Sequence, residues 1–209
     1  VSAAIERVVT HGTFSLDGGT WDVENNVWIV GDTREVLVID PAHDAASIAK
    51  VVGDREVTAI VCTHAHNDHI NAAPELAERT GAPVFLHLDD RLLWRQVHPD
   101  RGPDGYLSDA RRLKVAGTEL VVLHTPGHTF GAVSLYAPEM GVVFTGDTLF
   151  AGGPGATGRS YSDFTSIIRS IRDRLLVLPP DTQVLTGHGE ATTVGIEAPH
   201  LQEWIDRGH

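Results

Sequence analysis

Residues 62–81 read CTHAHNDHINAAPELAERTG, and the first half of this stretch decides how the chain folds. Three histidines and an aspartate, His64, His66, His69 and Asp68, fall within six residues. An apolar run, VTAIVCT, delivers the chain to them, and a helical segment from Asn71 to Arg79 follows, with Gly81 placed to stop it. Donors at a strand-to-helix junction are held by regular backbone on both sides. Along an extended stretch His64 and His66 point the same way, because side chains alternate with period two. Asp68 and His69 are adjacent and aim differently at the turn. One ion can take His64 and His66, and a second can take Asp68 and His69.

The same arrangement recurs downstream. TELVVLHTPGHT ends at His128, GVVFTGDT reaches Asp147, and TQVLTGHGE reaches His188. Each donor follows an apolar run and stands beside glycine (Gly127, Gly146, Gly187, Gly189), which permits the tight turns needed to gather side chains from several strand ends. An H-x-H-x-D-H window arises by accident in roughly three chains per thousand of this composition, and the further donors lower that figure. The cluster therefore reads as a metal site rather than as polar loop residues. Its imidazoles and carboxylates, without a cysteine, suit zinc first, and iron or manganese as well.

Around these donors, β-rich runs alternate with helices in both halves of the chain. NVWIVGDTREVLVID reads as a hairpin, AASIAKVVG as a helix, APVFLHL as a strand and DDRLLWRQV as a helix. HPDRGPDGYLSD is irregular. TELVVLHT, GAVSLYA, GVVFTG and TQVLTG are four strands, SDFTSIIRSIRDRLLVL is a helix, and TTVGIEAPHLQEWIDRG is a broken one. Two sheets covered by helices are expected. The 209 residues are expected to form one domain, residues 1–209, with no linker or repeat. A formal charge of −12 argues against nucleic-acid binding. No apolar run reaches membrane-spanning length. The N-terminal residues lack a signal-peptide pattern and Cys62 is the only cysteine, so a cytoplasmic location is expected. Cys62 itself reads as an inert core residue.

In its motifs THAHNDH, TPGHT, TGDT and TGHG, in that order over roughly residues 20–200, the sequence resembles the metallo-β-lactamase superfamily of hydrolases. The resemblance implies an αββα sandwich (α/β class) with a two-metal site at the edge of its sheets. It assigns His64, His66 and His128 to one ion and Asp68, His69 and His188 to the other, with Asp147 bridging. Asp40 matches a structural position. Secreted β-lactamases usually lack the histidine at His69 and often use a cysteine for the second ion. Flavo-diiron proteins carry Glu at His66 and an added flavin domain.

The nearer likeness is to the glyoxalase II-like thioester hydrolases, through TGDTLFAGGPGATGRSY and GHGEATTVGIE. By that likeness Arg159 and Tyr161 contact the thiol carrier, glutathione or mycothiol. The C-terminal helical domain of glutathione-specific members has no counterpart in this sequence. The implied reaction is attack on a thioester by a hydroxide bridging two divalent ions, with Asp68 and Asp147 as the catalytic carboxylates. Two divalent ions, two carboxylates and a hydroxide leave a formal charge of about +1, which favours an anionic small-molecule substrate. The rival is a persulfide dioxygenase using one iron on His64, His128 and Asp147; a lactonase or other esterase is a further alternative. Oligomeric state is not legible.

Residues Asp89–Asp109, with Trp94, Arg95, His98 and Tyr106, are a second candidate for substrate contacts, although Trp94 reads more readily as core. His87 and His124 read as core or surface residues. His11, His43, His200 and His209 read as ordinary, His43 with the most room for a role because it follows a strand end.

Overall fold

The computed structural model describes residues 3–208. β1 (Ala4–Leu16) and β2 (Gly19–Gly31) form a long antiparallel hairpin. Leu16 pairs with Gly19, so Asp17 and Gly18, at φ 51° and 79°, make a two-residue turn. Positive φ at both central residues is the type I′ geometry that matches the twist of the flanking strands. β3 (Glu35–Ile39) adds antiparallel to β2, and β4 (Glu56–Val61), β5 (Val84–His87) and β6 (Gly105–Leu107) follow in parallel. This first sheet has the order β1-β2-β3-β4-β5-β6.

The second sheet begins with β7 (Arg112–Val115), β8 (Thr118–His124), β9 (Val133–Ala137) and β10 (Val142–Gly146), all antiparallel. After a small ribbon, β11 (Leu149–Phe150) and β12 (Gly153–Pro154), β13 (Gln183–Thr186) joins β10 in parallel, and β14 (Thr192–Thr193) closes that edge. The helices are α1 (Ala45–Val52), α2 (Asn67–Ile70), α3 (Ala73–Thr80), α4 (Arg91–Val97), α5 (Phe164–Ser170), α6 (Val194–Glu197) and α7 (Leu201–Arg207).

Alternation along the central strands sorts their side chains into three apolar layers. Val36 and Val38 of β3 pack with Ile48 of α1, Leu76 of α3 and Trp94 of α4. Leu37 and Ile39 of the same strand face the second sheet, against Leu135, Phe144 and Leu185 among others. On the far side Val143 and Val184 meet Ile167 of α5 and Trp204 of α7. Strands buried on both faces carry continuous apolar runs, as IVC and VVF do here. The result is the expected four-layer αββα sandwich.

Local boundaries differ from the sequence reading. β1 and the first half of β2 were not expected: most of their residues are exposed or half-buried, so no apolar periodicity marks them. The Asp17-Gly18 dipeptide is the hairpin signal that could have found them. β7 was likewise unassigned, and β6 lies inside the stretch read as irregular. The helix after the first motif starts at Asn67, breaks after Ile70 and resumes at Ala73. Its stop at Gly81 is as expected, with φ 75° and a hydrogen bond from the Gly81 N–H to the Ala77 carbonyl.

Candidate metal centre

Four strand ends meet at one rim of the sandwich. β4 supplies His64 and His66 from the segment after Val61, and the α2 turn that follows supplies Asp68 and His69. The loop after β8 supplies His128, the turn after β10 Asp147, and the turn after β13 His188. All are buried except His188, which is partly exposed. The seven donors expected from sequence are therefore brought together.

They fall into two groups whose ligand atoms all lie within 4.8 Å of one another: His64, His66 and His128, and Asp68, His69 and His188. Asp147 stands between the groups. Its Oδ2 is 3.6 Å from His128 Nε2 and 3.3 Å from His188 Nε2, and its Oδ1 is 3.4 Å from His69 Nε2. Backbone without a Cβ is required beside it. A methyl group on Gly187 would sit 2.2 Å from Asp147 Oδ1 and 2.7 Å from His69 Cε1.

A metal fits this donor set. His64 Nε2, Asp68 Oδ1 and Asp147 Oδ1 are buried with no hydrogen-bond partner among the described residues, and His66 Nδ1 faces His128 Nε2 at 3.0 Å. Leaving such groups unpaired costs about 1–3 kcal/mol each, which a shared cation offsets. The other ring nitrogens are already engaged. His69 Nδ1 pairs with Asp40 Oδ2 at 3.0 Å, His128 Nδ1 donates to the Ala156 carbonyl at 2.8 Å, and His188 Nδ1 donates to the Glu24 carbonyl at 2.6 Å. Each bond fixes a tautomer that leaves Nε2 for an ion. Asp40 also accepts from the Thr63 N–H and hydroxyl, both at 2.7 Å, so it orients ligands rather than being one.

The electrostatics agree. Burial, followed by the charge on His69, holds His64 well below the ordinary histidine range. Burial, followed by His128, brings His66 to about 3. Burial also lowers His128. These three are neutral, the state a ligand needs. Burial opposes the shift of Asp68, yet the His69 charge and hydrogen bonds from His188 and Asn25 bring it to about 2. Against the same burial, His69 and His188 hold Asp147 well below the carboxylate range. Burial disfavours charge on His69 and His188 too, but Asp147 foremost raises His69 well above its usual value and His188 to about 10. Two ionised carboxylates thus require positive charge between them, which divalent ions supply in place of imidazole protons.

Three supporting residues escaped the sequence reading or were underrated by it. Asn25 Nδ2 donates to Asp68 Oδ2 at 2.9 Å, and Asn25 Oδ1 accepts from His43 Nε2 at 2.9 Å. Asn71 Nδ2 donates to His43 Nδ1 at 2.9 Å, which fixes the tautomer. His43 is therefore not ordinary: it adopts φ 62° and packs against Gly12, where a Cβ would overlap its ring. Asp90 is buried and accepts from Ala65 N at 2.9 Å, Thr129 Oγ1 at 2.7 Å and Gly131 N at 2.6 Å, clamping the two loops that carry His66 and His128. Burial is the larger influence on Asp90 and raises its pKa despite those three donors. No local motif announces Asn25 or Asp90; their partners are distant in sequence.

The centre opens into a cavity of about 290 Å³ walled by Phe14, Trp21, Val23, Phe150 and Arg159. The Arg159 guanidinium lies 4.1 Å from the Trp21 ring centroid and 5.5 Å from that of Phe14. Tyr161 is placed elsewhere. It lines an adjoining groove of about 630 Å³, and its hydroxyl accepts from Gln96 Nε2 at 3.1 Å. His66 and Ser160 border both spaces.

Within the second candidate segment, Asp89–Asp109, the residues named from sequence line neither space while their neighbours do. Trp94 is core, 1 % exposed, and donates to the Arg101 carbonyl; His98 contacts the Ile70 carbonyl; Tyr106 and Arg95 line neither space. Helical periodicity turns Leu93, Gln96 and Val97 toward the groove instead. His87 and His124 stack 4.2 Å apart at 13°, with Asp89 nearby. Parallel rings direct their lone pairs side by side rather than to one point, so this is a stack and not a chelate. His11 and His200 make exposed pairs with Glu24 and Glu203, Cys62 is fully buried, and His209 lies outside the described residues.

Residues 20–188 match the metallo-beta-lactamase superfamily, and the chain belongs to it. It is 32 % identical over 190 residues to the hydroxyacylglutathione hydrolase GloC of Haemophilus influenzae, covering 83 % of this chain and 89 % of that one. Among solved structures it is similar to the BLEG-1 B3 metallo-beta-lactamase, at 29 % identity and TM-score 0.78, covering 91 % of this chain and 97 % of that one. It is also similar to TTHA1623 in a di-iron-bound form, at 33 % identity and TM-score 0.76, covering 84 % and 93 %. Among the described residues no helix is long and apolar enough to cross a membrane.

Proposed function

We propose that this member of the superfamily is a binuclear metallo-hydrolase cleaving thioesters of a low-molecular-weight thiol. The observation that carries the reading is the pair of three-donor groups with Asp147 between them and buried donor atoms left without hydrogen-bond partners. The likeness to a hydroxyacylglutathione hydrolase supports the thioester assignment. His64, His66 and His128 would hold one ion, Asp68, His69 and His188 the other, and Asp147 both. Zinc, iron and manganese all suit five histidines and two aspartates. Two such ions would supply a water whose pKa falls from about 16 to about 7 and a Lewis acid for the carbonyl oxygen.

The chain's own residues do the rest. Asn25 donates to Asp68 Oδ2 and so holds the carboxylate in place beside His69 and His188. Phe14, Trp21 and Phe150 exclude bulk water from the carbonyl, and Arg159 presents a donor fork to an anionic or amide group of the substrate. A thiolate leaves without a strong general acid.

The test is metal content per chain together with a panel of thioesters, lactones, β-lactams and a persulfide. About two ions with thioester turnover is the expected result. One iron per chain, with oxygen uptake on the persulfide and no thioester cleavage, would replace this reading by the dioxygenase.

A further inference from the structure

The larger groove beside the metal centre is not used by the chemistry above. It runs from the hairpin tip to α4 and shares His66 with the catalytic cavity, so a molecule whose reacting end reaches the ions extends into it. Its polar lining is made of hydroxyls and amides: Ser15, Thr20, Asn67, Gln96 and Tyr161. No lysine or arginine lines it. His66 is neutral, so among the described residues the charged lining group is Asp17, whose Oδ2 accepts from Ser160 N at 3.0 Å and is thereby fixed. Arg159, the adjacent cation, is stacked on Trp21 in the other cavity.

Resting on the thioester reading, we infer that this groove binds the thiol carrier and selects an uncharged, hydroxyl- or amide-bearing one over a carrier with several carboxylates. The physical reason is differential desolvation. A carboxylate entering the groove loses water, finds no cation in the lining, and meets Asp17, whose charge Arg159 offsets only in part. Asn67 is held by the Ser15 N–H and the Thr13 carbonyl, so a polyol or amide exchanges its water for the remaining hydroxyl and amide valencies of Ser15, Thr20, Gln96 and Tyr161. Positive charge is confined to the metal end and to Arg159, so anionic character in the substrate is tolerated near the acyl group and disfavoured along the carrier.

The experiment has two arms on the metal-loaded full chain. In the first, one acyl group is presented on 1-thioglucose, N-acetylcysteamine, N-acetylcysteine and glutathione, and kcat/KM is compared. The second measures calorimetric binding of the S-methyl thioethers of the same four carriers, which needs no turnover. The expected result is that the two neutral carriers rank above the two carboxylate-bearing ones in both arms. Asp17→Asn, which keeps an oxygen acceptor for Ser160, should narrow that gap about threefold, the effect of one water-screened charge pair roughly 6 Å apart. The narrowing should fade in high salt. Preference for glutathione in the binding arm, or a ranking blind to carrier charge, overturns the inference. Absence of all turnover while the thioethers still rank by charge would leave the groove's selectivity standing and remove the thioesterase reading instead.

Discussion

Asp90 offers the most exacting test of how the centre is held. Replacing it by alanine deletes the only carboxylate that joins Ala65, Thr129 and Gly131, and strands three donors in a buried place. Hydrogen bonds to a charged acceptor contribute about 1.5–3 kcal/mol each. Three at the low end, reduced for non-additivity and for the relief of a buried charge, give a loss of about 4 kcal/mol. For a chain of this size each kcal/mol lowers Tm by about 3 °C, so Asp90→Ala should melt roughly 12 °C below the parent. Because the clamp holds the neighbours of His66 and His128, metal affinity should also fall about tenfold or more. Asp90→Asn keeps acceptors but points an amide N–H₂ at one donor, and should lie between. The assay is calorimetric melting of metal-loaded and chelated protein, with metal affinity by chelator competition. An Asp90→Ala protein melting within about 2 °C of the parent and holding its metal as tightly would refute the clamp.

Four further outcomes are expected. Gly187→Ala, whose methyl would overlap Asp147 and His69, should fold but bind metal poorly, read as ions per chain after gel filtration. Asp147→Ala should abolish turnover, and retained activity would remove its bridging role. Arg159→Ala should raise KM several-fold with little change in kcat; an unchanged KM would take Arg159 out of the substrate pocket. Chelated protein should be most stable near pH 6.5. The His188 pKa, raised to about 10, contributes stability fully present below 6.5 and lost as pH rises toward 10, while His66, lowered to about 3, contributes stability present above 6.5 and lost as pH falls toward 3. A flat melting profile from pH 6 to 10 would count against the protonated His188.

The donor cluster was legible because its code is local. An apolar run fixes a strand, the motif fixes the turn, and the donors follow within a few residues, so His64, His66, Asp68, His69, His128, Asp147 and His188 can each be read from about ten neighbouring residues. The three-layer core was legible for the same reason, since period-two alternation of large apolar side chains states which face each one occupies. β1 and the first half of β2 were not, because strands largely outside the core carry no such alternation.

The sequence by itself thus determined the fold class, the donors that cluster and the donor chemistry that suits divalent ions. Only the tertiary structure decided that Asn25, His43 and Asp90 hold those ligands, that Phe14 and Trp21 cover the cavity, and that Arg159 and Tyr161, two residues apart, serve different spaces. These are contacts between segments far apart in the chain, such as the 43 residues separating Asn25 from Asp68. Their geometry follows from how two sheets pack and twist together, a property of the whole assembly that no short stretch encodes.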